Sequence, residues 1–289
     1  MTKLILGFFD GIHKGHQEVI KNVYSQDSYL ITFDTSPKLF FKNENNSLLT
    51  TNNEKVEILK KIFPDLKVEF LIFKNICDLS PEQFIKYLKN LFDFKVISVG
   101  YDFKFGKNAE GNVNTLKKLS KKYNFELVVQ KKVLYKNRAI HSSLIRNYLI
   151  NYPLRMEDVF NMLGRFYQIS GIVIEGKKIG RKIGFPTANI LVPPYKVIPY
   201  FGIYKAEVRI LNNDFKDRIF DGLLYIGPRP VINNYEISVE VWIKDFNHEI
   251  YYQPVVVDII KFIRKVKSFK NLNAMVKQIE KDIEIAFVD

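Results

Sequence analysis

Residues Gly7 to His16 read GFFDGIHKGH and overlap the end of a strand candidate running from Lys3 to Phe9. Glycines at positions 7, 11 and 15 let the backbone approach a ligand closely, and a helix beginning near Gly15 would turn its unpaired N–H groups toward an anion. Working outward, a helix is expected from Gly15 to Tyr24 and a second strand from Tyr29 to Phe33. Thr51 with Glu54 forms a capping box that opens a helix reaching Phe63. Ser80, Pro81 and Gln83 open another, with Phe84, Leu88 and Leu91 at helical spacing. Strands Val68 to Ile72 and Val96 to Val99 complete the alternation. Strands alternating with helices of this length predict a right-handed, mostly parallel sheet with flanking helices, whose ligands sit beyond the carboxyl ends of the strands. GFFDGIHKGH occupies such an end.

After a polar stretch around Asn151 to Asp158 the pattern changes to short strands. Ile169 to Ile174, Gly202 to Ile210, Phe220 to Tyr225, Ile237 to Ile243 and Val255 to Phe262 are separated by Gly, Pro, Asn and Asp clusters, which suggests a small antiparallel barrel. A last helix, Asn271 to Ala286, carries Leu272, Met275, Val276, Ile279, Ile283 and Ala286 on one face and is expected to close the barrel. The 289 residues, 47% of them hydrophobic, suffice for two such domains, placed at 1–152 and 160–289.

The net charge of +13 raises a nucleic-acid reading. The lysines are spread in ones and twos between acidic or apolar residues, so a solvated basic surface is expected, with no nucleic-acid partner. No run of eighteen apolar residues occurs, and the N-terminus enters an apolar strand without a charged leader; a cytoplasmic protein with no membrane partner is expected. The single cysteine, Cys77, cannot form an intrachain disulfide and reads as a small core residue.

His13 and His16 can donate to the charge that grows around an attacked α-phosphorus and a departing pyrophosphate. Their spacing, with no intervening glutamate, is not that of a helical zinc site. HSSLIR, from His141 to Arg146, reads as a second phosphate clamp: Ser142 and Ser143 offer donors at a helix start and Arg146 a guanidinium fork. In GYDFKFG, Asp102 stands just beyond a strand and is open to three ligands (a ribose, a base or a flavin) or to service as a turn residue. In GRKIGFPTAN, from Gly180 to Asn189, Thr187 and Asn189 are two apart, so on an extended segment both oxygens face one side, where Mg²⁺ and ATP phosphates could be held. Gly176, Gly180 and Gly184 leave room for a close-fitting loop and Arg181 adds charge; an ordinary Gly/Pro turn before a strand has the same pattern. In SVEVWIKDF, Val239, Val241 and Ile243 share one strand face, which puts Glu240 on the other beside Trp242.

Taken in order, GFFDGIHKGH, GYDFKFG, HSSLIR, LGRFYQISGIV and GRKIGFPTAN resemble the bacterial bifunctional riboflavin kinase/FAD synthetase family over nearly the whole chain. The resemblance implies an N-terminal Rossmann-like nucleotidyltransferase domain that converts FMN and ATP to FAD and pyrophosphate. It implies a C-terminal barrel that phosphorylates riboflavin. Gly7, Phe8, Asp10, Gly11 and Gly15 would then line the ATP phosphates, and Asp102 and Phe105 the flavin. Glu240 would match the family's catalytic glutamate, with Mg²⁺ and ATP serving both reactions. The chain departs from the family's usual residues at Ser36, His141, Ser143, Val231 and Trp242. A protein with one active module, and a basic nucleotide- or RNA-binding protein without turnover, are the alternatives.

Overall fold

The computed structural model describes residues 1–41, 47–176, 179–231 and 234–287. The chain divides into two compact units, Met1–Ser142 and Ser143–Asp289. In the first, β1 (Thr2–Leu6), β2 (Ser28–Phe33), β3 (Lys67–Leu71), β4 (Phe94–Gly100) and β5 (Glu126–Gln130) form a parallel sheet in the order β3-β2-β1-β4-β5. Alternation along β1 assigns the faces. Leu4 and Leu6 pack with Phe84, Ile85, Leu88, Leu116 and Leu119, and Ile5 packs with Val19, Ile20, Ile58 and Leu59 on the other side. Helices α1 (Lys14–Lys21) and α2 (Asn52–Ile62) therefore cover one face, and α3 (Pro81–Leu91) and α4 (Val113–Tyr123) the other.

Both capping boxes form: Thr51 with Glu54 on α2, and Ser80 with Gln83 on α3. The order of strands reverses between β1 and β4, so the loops leaving these two neighbours flank the topological switch point. GFFDGIHKGH leaves β1 and GYDFKFG leaves β4. Cys77 is only partly buried, at the margin of the core, and its thiol donates to Lys74 O at 3.4 Å.

The second unit opens within α5 (Ser142–Asn151) and continues to α6 (Met156–Leu163). The stretch read as a polar connection is thus largely helical, because Met156, Val159, Met162 and Leu163 form a buried stripe that its acidic start conceals. Strands β6 (Tyr167–Ile174), β7 (Thr187–Leu191), β8 (Gly202–Ile210), β9 (Phe220–Val231), β10 (Asn234–Ile243) and β11 (Pro254–Lys265) close an antiparallel barrel in the order β6-β7-β10-β9-β8-β11. Helix α7 (Leu272–Phe287) follows. Its apolar stripe is only half-buried and Leu272 is exposed; the inward face instead carries Asp282, 2% exposed, which Arg264 of β11 grips through both oxygens at 2.7–3.0 Å.

Candidate active sites

His13 begins α1 as its N-cap, and its Nδ1 accepts the His16 N–H at 3.3 Å. An accepting Nδ1 leaves the proton of the neutral ring on Nε2, which can donate to a ligand. The His13 and His16 rings stack with centroids 3.5 Å apart, and a Cβ at residue 15 would lie 3.1 Å from the His13 ring, which is why glycine separates them. Gly11 has φ +85° and its N–H donates to Thr50 Oγ1 at 3.0 Å; it shapes the turn. Asp10 is 6% exposed, and its carboxylate accepts Leu49 N–H at 2.8 Å and Thr50 N–H at 3.2 Å. Both residues, expected at phosphate, brace the loop against residues 49–50. Ser142 Oγ donates to Asp10 O at 2.8 Å, tying the start of α5 to the same loop.

Beyond β4, Asp102 is exposed, with Oδ2 3.7 Å from His141 Nδ1, and Tyr101 Oη lies 3.0 Å from His141 Nε2. Burial and the neighbouring Asp102 charge raise the Tyr101 pKa. Phe105, expected at the flavin, is 6% exposed and sits in the core between Phe84 and Phe103, 5.9 Å and 5.5 Å away by ring centroid. Ser143 is exposed and Arg146 half-buried on α5, within the second unit. Ser36 is buried and starts the turn into Pro37–Phe41, accepting Phe40 N–H at 2.9 Å.

In the barrel, β7 pairs with β10 so that Asn189 faces Glu240 and Thr187 faces Trp242. Val239, Val241 and Ile243 are buried, and Glu240 and Trp242 take the opposite face, as the alternation predicts. Thr187 Oγ1 donates to Glu240 Oε2 at 3.2 Å and Ser238 Oγ to Glu240 Oε1 at 2.7 Å, fixing the carboxylate in orientation. Thr187, Asn189 and Glu240 share one cavity of about 490 Å³ with Tyr225, Trp242 and Ile279. At Gly176 a Cβ would stand 2.3 Å from Asn189 Nδ2, so a side chain there would displace the Asn189 amide. Gly180 is pressed harder, because the atom 2.2 Å from its Cβ position is the backbone Phe185 O, and Gly184 has φ +85°. Arg181 lies at the cavity edge, paired with Glu249 at 3.0 Å on an exposed surface. The side chain of Val231 lies outside the described residues.

Thr187, Asn189 and Glu240 supply hydroxyl, amide and carboxylate oxygens, a hard donor set of the kind that Mg²⁺ takes together with substrate phosphates. Among the described residues no cluster of three or more His, Cys, Asp or Glu side chains competes for a metal. Four participants escaped the sequence reading. Lys55 is 1% exposed beneath the β1–α1 loop, Ser238 orients Glu240, and Arg264 with Asp282 anchors the wall of the barrel cavity. Lys55 precedes Ile58 and Leu59 by three and four residues, which places it on the buried face of α2; that spacing was its one visible signal.

A family model described as FAD synthetase matches residues 1–144, and one described as riboflavin kinase matches residues 163–287. A bifunctional riboflavin kinase/FMN adenylyltransferase from Haemophilus influenzae is 34% identical over 98% of this chain and 92% of its own. A protein of the same description from Buchnera aphidicola subsp. Schizaphis graminum is 35% identical over 97% and 91%. The crystal structure of a macrolide-efflux protein from Streptococcus pneumoniae, so described, matches all of this chain and 94% of its own, with a TM-score of 0.83 and 25% identity. Among the described residues no helix is long and apolar enough to cross a membrane. Both domain models matched in sequence order, and relatives aligned along nearly their whole length, establish that the chain belongs to the bifunctional riboflavin kinase/FMN adenylyltransferase family.

Proposed function

We propose that the chain makes FMN and then FAD, the barrel phosphorylating riboflavin and the parallel-sheet unit adenylylating the product, with residues 1–152 and 160–289 as the two working modules. The observation that carries this reading is the convergence of Thr187, Asn189 and Glu240 on one cavity with Tyr225 and Trp242. Oxygen ligands for a phosphate-bound cation, a carboxylate base and aromatic walls for a flat ring are what phosphorylation of a flavin alcohol requires.

In the barrel, Glu240 takes the proton of the riboflavin 5′-hydroxyl as that oxygen attacks the γ-phosphorus of ATP, and ADP leaves. Thr187 and Asn189 would hold Mg²⁺, which when bound neutralises charge on the transferred phosphoryl group. Gly176, Gly180 and Gly184 shape the loop beside them, and Arg181, released from its exposed partner Glu249, can turn to phosphate at little cost. In the first unit the FMN phosphate is already ionised and needs no base. Its oxygen attacks the α-phosphorus of a second ATP, the bond to the β-phosphate breaks, and pyrophosphate departs. His13 and His16 donate to the growing charge, and the Gly7–Gly15 loop with Ser142 cradles it. Asp102 lies at the switch point to hold the flavin nucleotide.

Small molecules are the partners in this reading, in a cytoplasmic setting. The basic charge is interleaved with acid, as in Lys21–Glu18, Lys86–Glu82 and Lys107–Asp78, the pattern of a solvated basic surface. The test supplies riboflavin, ATP and Mg²⁺ and separates the flavins. FMN followed by FAD is expected. His16→Ala should stop FAD formation and spare FMN, and Glu240→Ala should stop FMN formation yet still adenylylate added FMN. Loss of both steps from either substitution in a folded protein would overturn the two-site reading.

A further inference from the structure

Lys55 has no place in the reaction steps above, yet it is the most buried cation among the described residues of the first unit. Its Nζ donates to Phe8 O at 2.8 Å and to Thr32 Oγ1 at 3.2 Å, and lies 4.3 Å from the Phe8 ring centroid. Thr32 Oγ1 donates to the same Phe8 carbonyl at 3.0 Å. That carbonyl is held from two sides, and because the peptide is planar, the direction of the following N–H is fixed with it. Immediately afterwards the chain enters Phe9 at φ +55° and, three residues on, Ile12 at φ +42°. Both are left-handed conformations that side chains resist, the β-branched isoleucine most of all, and they persist only where surroundings over-determine them.

The twist has a destination. The Phe9 ring folds back over Gly7, where a Cβ would be 2.8 Å from the ring, and presents its edge to His16 with centroids 5.3 Å apart. His16 in turn stacks on His13. A contiguous line therefore runs from the ammonium through the Phe8 carbonyl and the Phe9 ring to the imidazole pair. A methionine would fill the same space with no charge to desolvate, and Thr32 alone would keep the carbonyl satisfied. Packing does not explain a lysine here.

We infer that Lys55 is a positioning residue for adenylyl transfer, clamping the Phe8 carbonyl so that Phe9 holds the histidine pair in register with the transition state. The inference rests on the reading of His13 and His16 given above. It deepens that site with a group that touches neither substrate.

The experiment compares Lys55→Met, Lys55→Arg, Thr32→Val and His16→Ala in the full chain, with the riboflavin kinase rate of each sample as the internal measure of protein amount and amide hydrogen exchange along β1 and β2 as the measure of an intact first unit. Lys55→Met should lower kcat for FAD formation by about ten- to a hundredfold while leaving KM for FMN and ATP within about threefold, the signature of misplacement rather than lost binding. Its melting temperature should not fall. Lys55→Arg, which keeps the charge and a donor, should recover part of the rate, and Thr32→Val should lower kcat by less than Lys55→Met. Loss confined to KM, or an unchanged kcat in Lys55→Met, would overturn the inference. If Lys55→Met does not fold, Thr32→Val decides alone: an unchanged kcat there overturns it and a reduced one supports it. His16→Ala separates the two readings, since FAD formation surviving that substitution refutes the site itself, whereas its loss beside an unaffected Lys55→Met refutes only the clamp.

Discussion

Replacing Lys55 with methionine should stabilise the first unit at neutral pH and lose that advantage as the pH rises. Burial lowers the lysine pKa from 10.5 to about 8, and the field of Asp10 offsets only part of the shift. The group sits among Phe8, Thr32 and Phe70, with Asp10 as the opposing charge. At about 1.4 kcal/mol per pKa unit, a gap of about 2.5 units means that keeping the ammonium protonated costs the folded state about 3 kcal/mol. The sign follows from proton counting. Between about pH 8 and 10.5 the unfolded chain binds more protons at this lysine than the folded one, so its contribution to stability rises with pH through that window. Below pH 8 both states are protonated and the full penalty applies. Methionine forfeits about 1 kcal/mol of hydrogen bonding, so the variant should be more stable by about 2 kcal/mol at pH 7.

Subtracting variant from native protein at each pH cancels every titrating group that does not sense the Lys55 charge. The single tryptophan, Trp242, lies in the barrel and reports the second unit, so opening of the first should be followed by amide hydrogen exchange along β1 and β2. A difference that stays flat from pH 7 to pH 10, or that favours lysine at pH 7, would refute the reasoning.

Asp282→Ala leaves Arg264 without the carboxylate that holds its Nε and Nη2, and should destabilise the barrel by about 3 kcal/mol, the low end for a buried pair because Arg264 keeps some contact with water. Denaturant melts followed by Trp242 fluorescence measure it. Gly176→Ala forces a methyl against Asn189 Nδ2 and should reduce riboflavin phosphorylation while FMN adenylylation is unchanged, as flavin separation would show.

Much of the architecture is carried by local rules. Thr51 with Glu54 and Ser80 with Gln83 mark their helices because a side chain that satisfies an N–H three residues on does so wherever the helix ends up. The alternation at Val239, Val241 and Ile243 places Glu240 on the cavity face because a strand has a period of two. The strand Glu126–Gln130 and the helix Met156–Leu163 were not legible, the first because a short edge strand is half-exposed along its length, the second because its opening charges mask its apolar stripe. Local signals also stop short of individual atoms. Asp10 and Gly11 belong to a phosphate-loop motif, yet their carboxylate and N–H are spent on residues nearly forty positions away.

The sequence alone determined the two-part organisation, the sheet and barrel classes, the chain's family resemblance and the candidate histidines and glutamate, since motif order and hydrophobic period are properties of neighbours along the chain. Tertiary structure decided which of these groups meet. It brought Thr187 and Glu240 to 3.2 Å across two strands, removed Phe105 to the core, paired Arg264 with Asp282, and set Lys55 beneath a loop whose carbonyl lies 47 residues earlier. The side-chain pairings that join distant segments depend on packing and on the desolvation of charge, and neither is written in a local pattern.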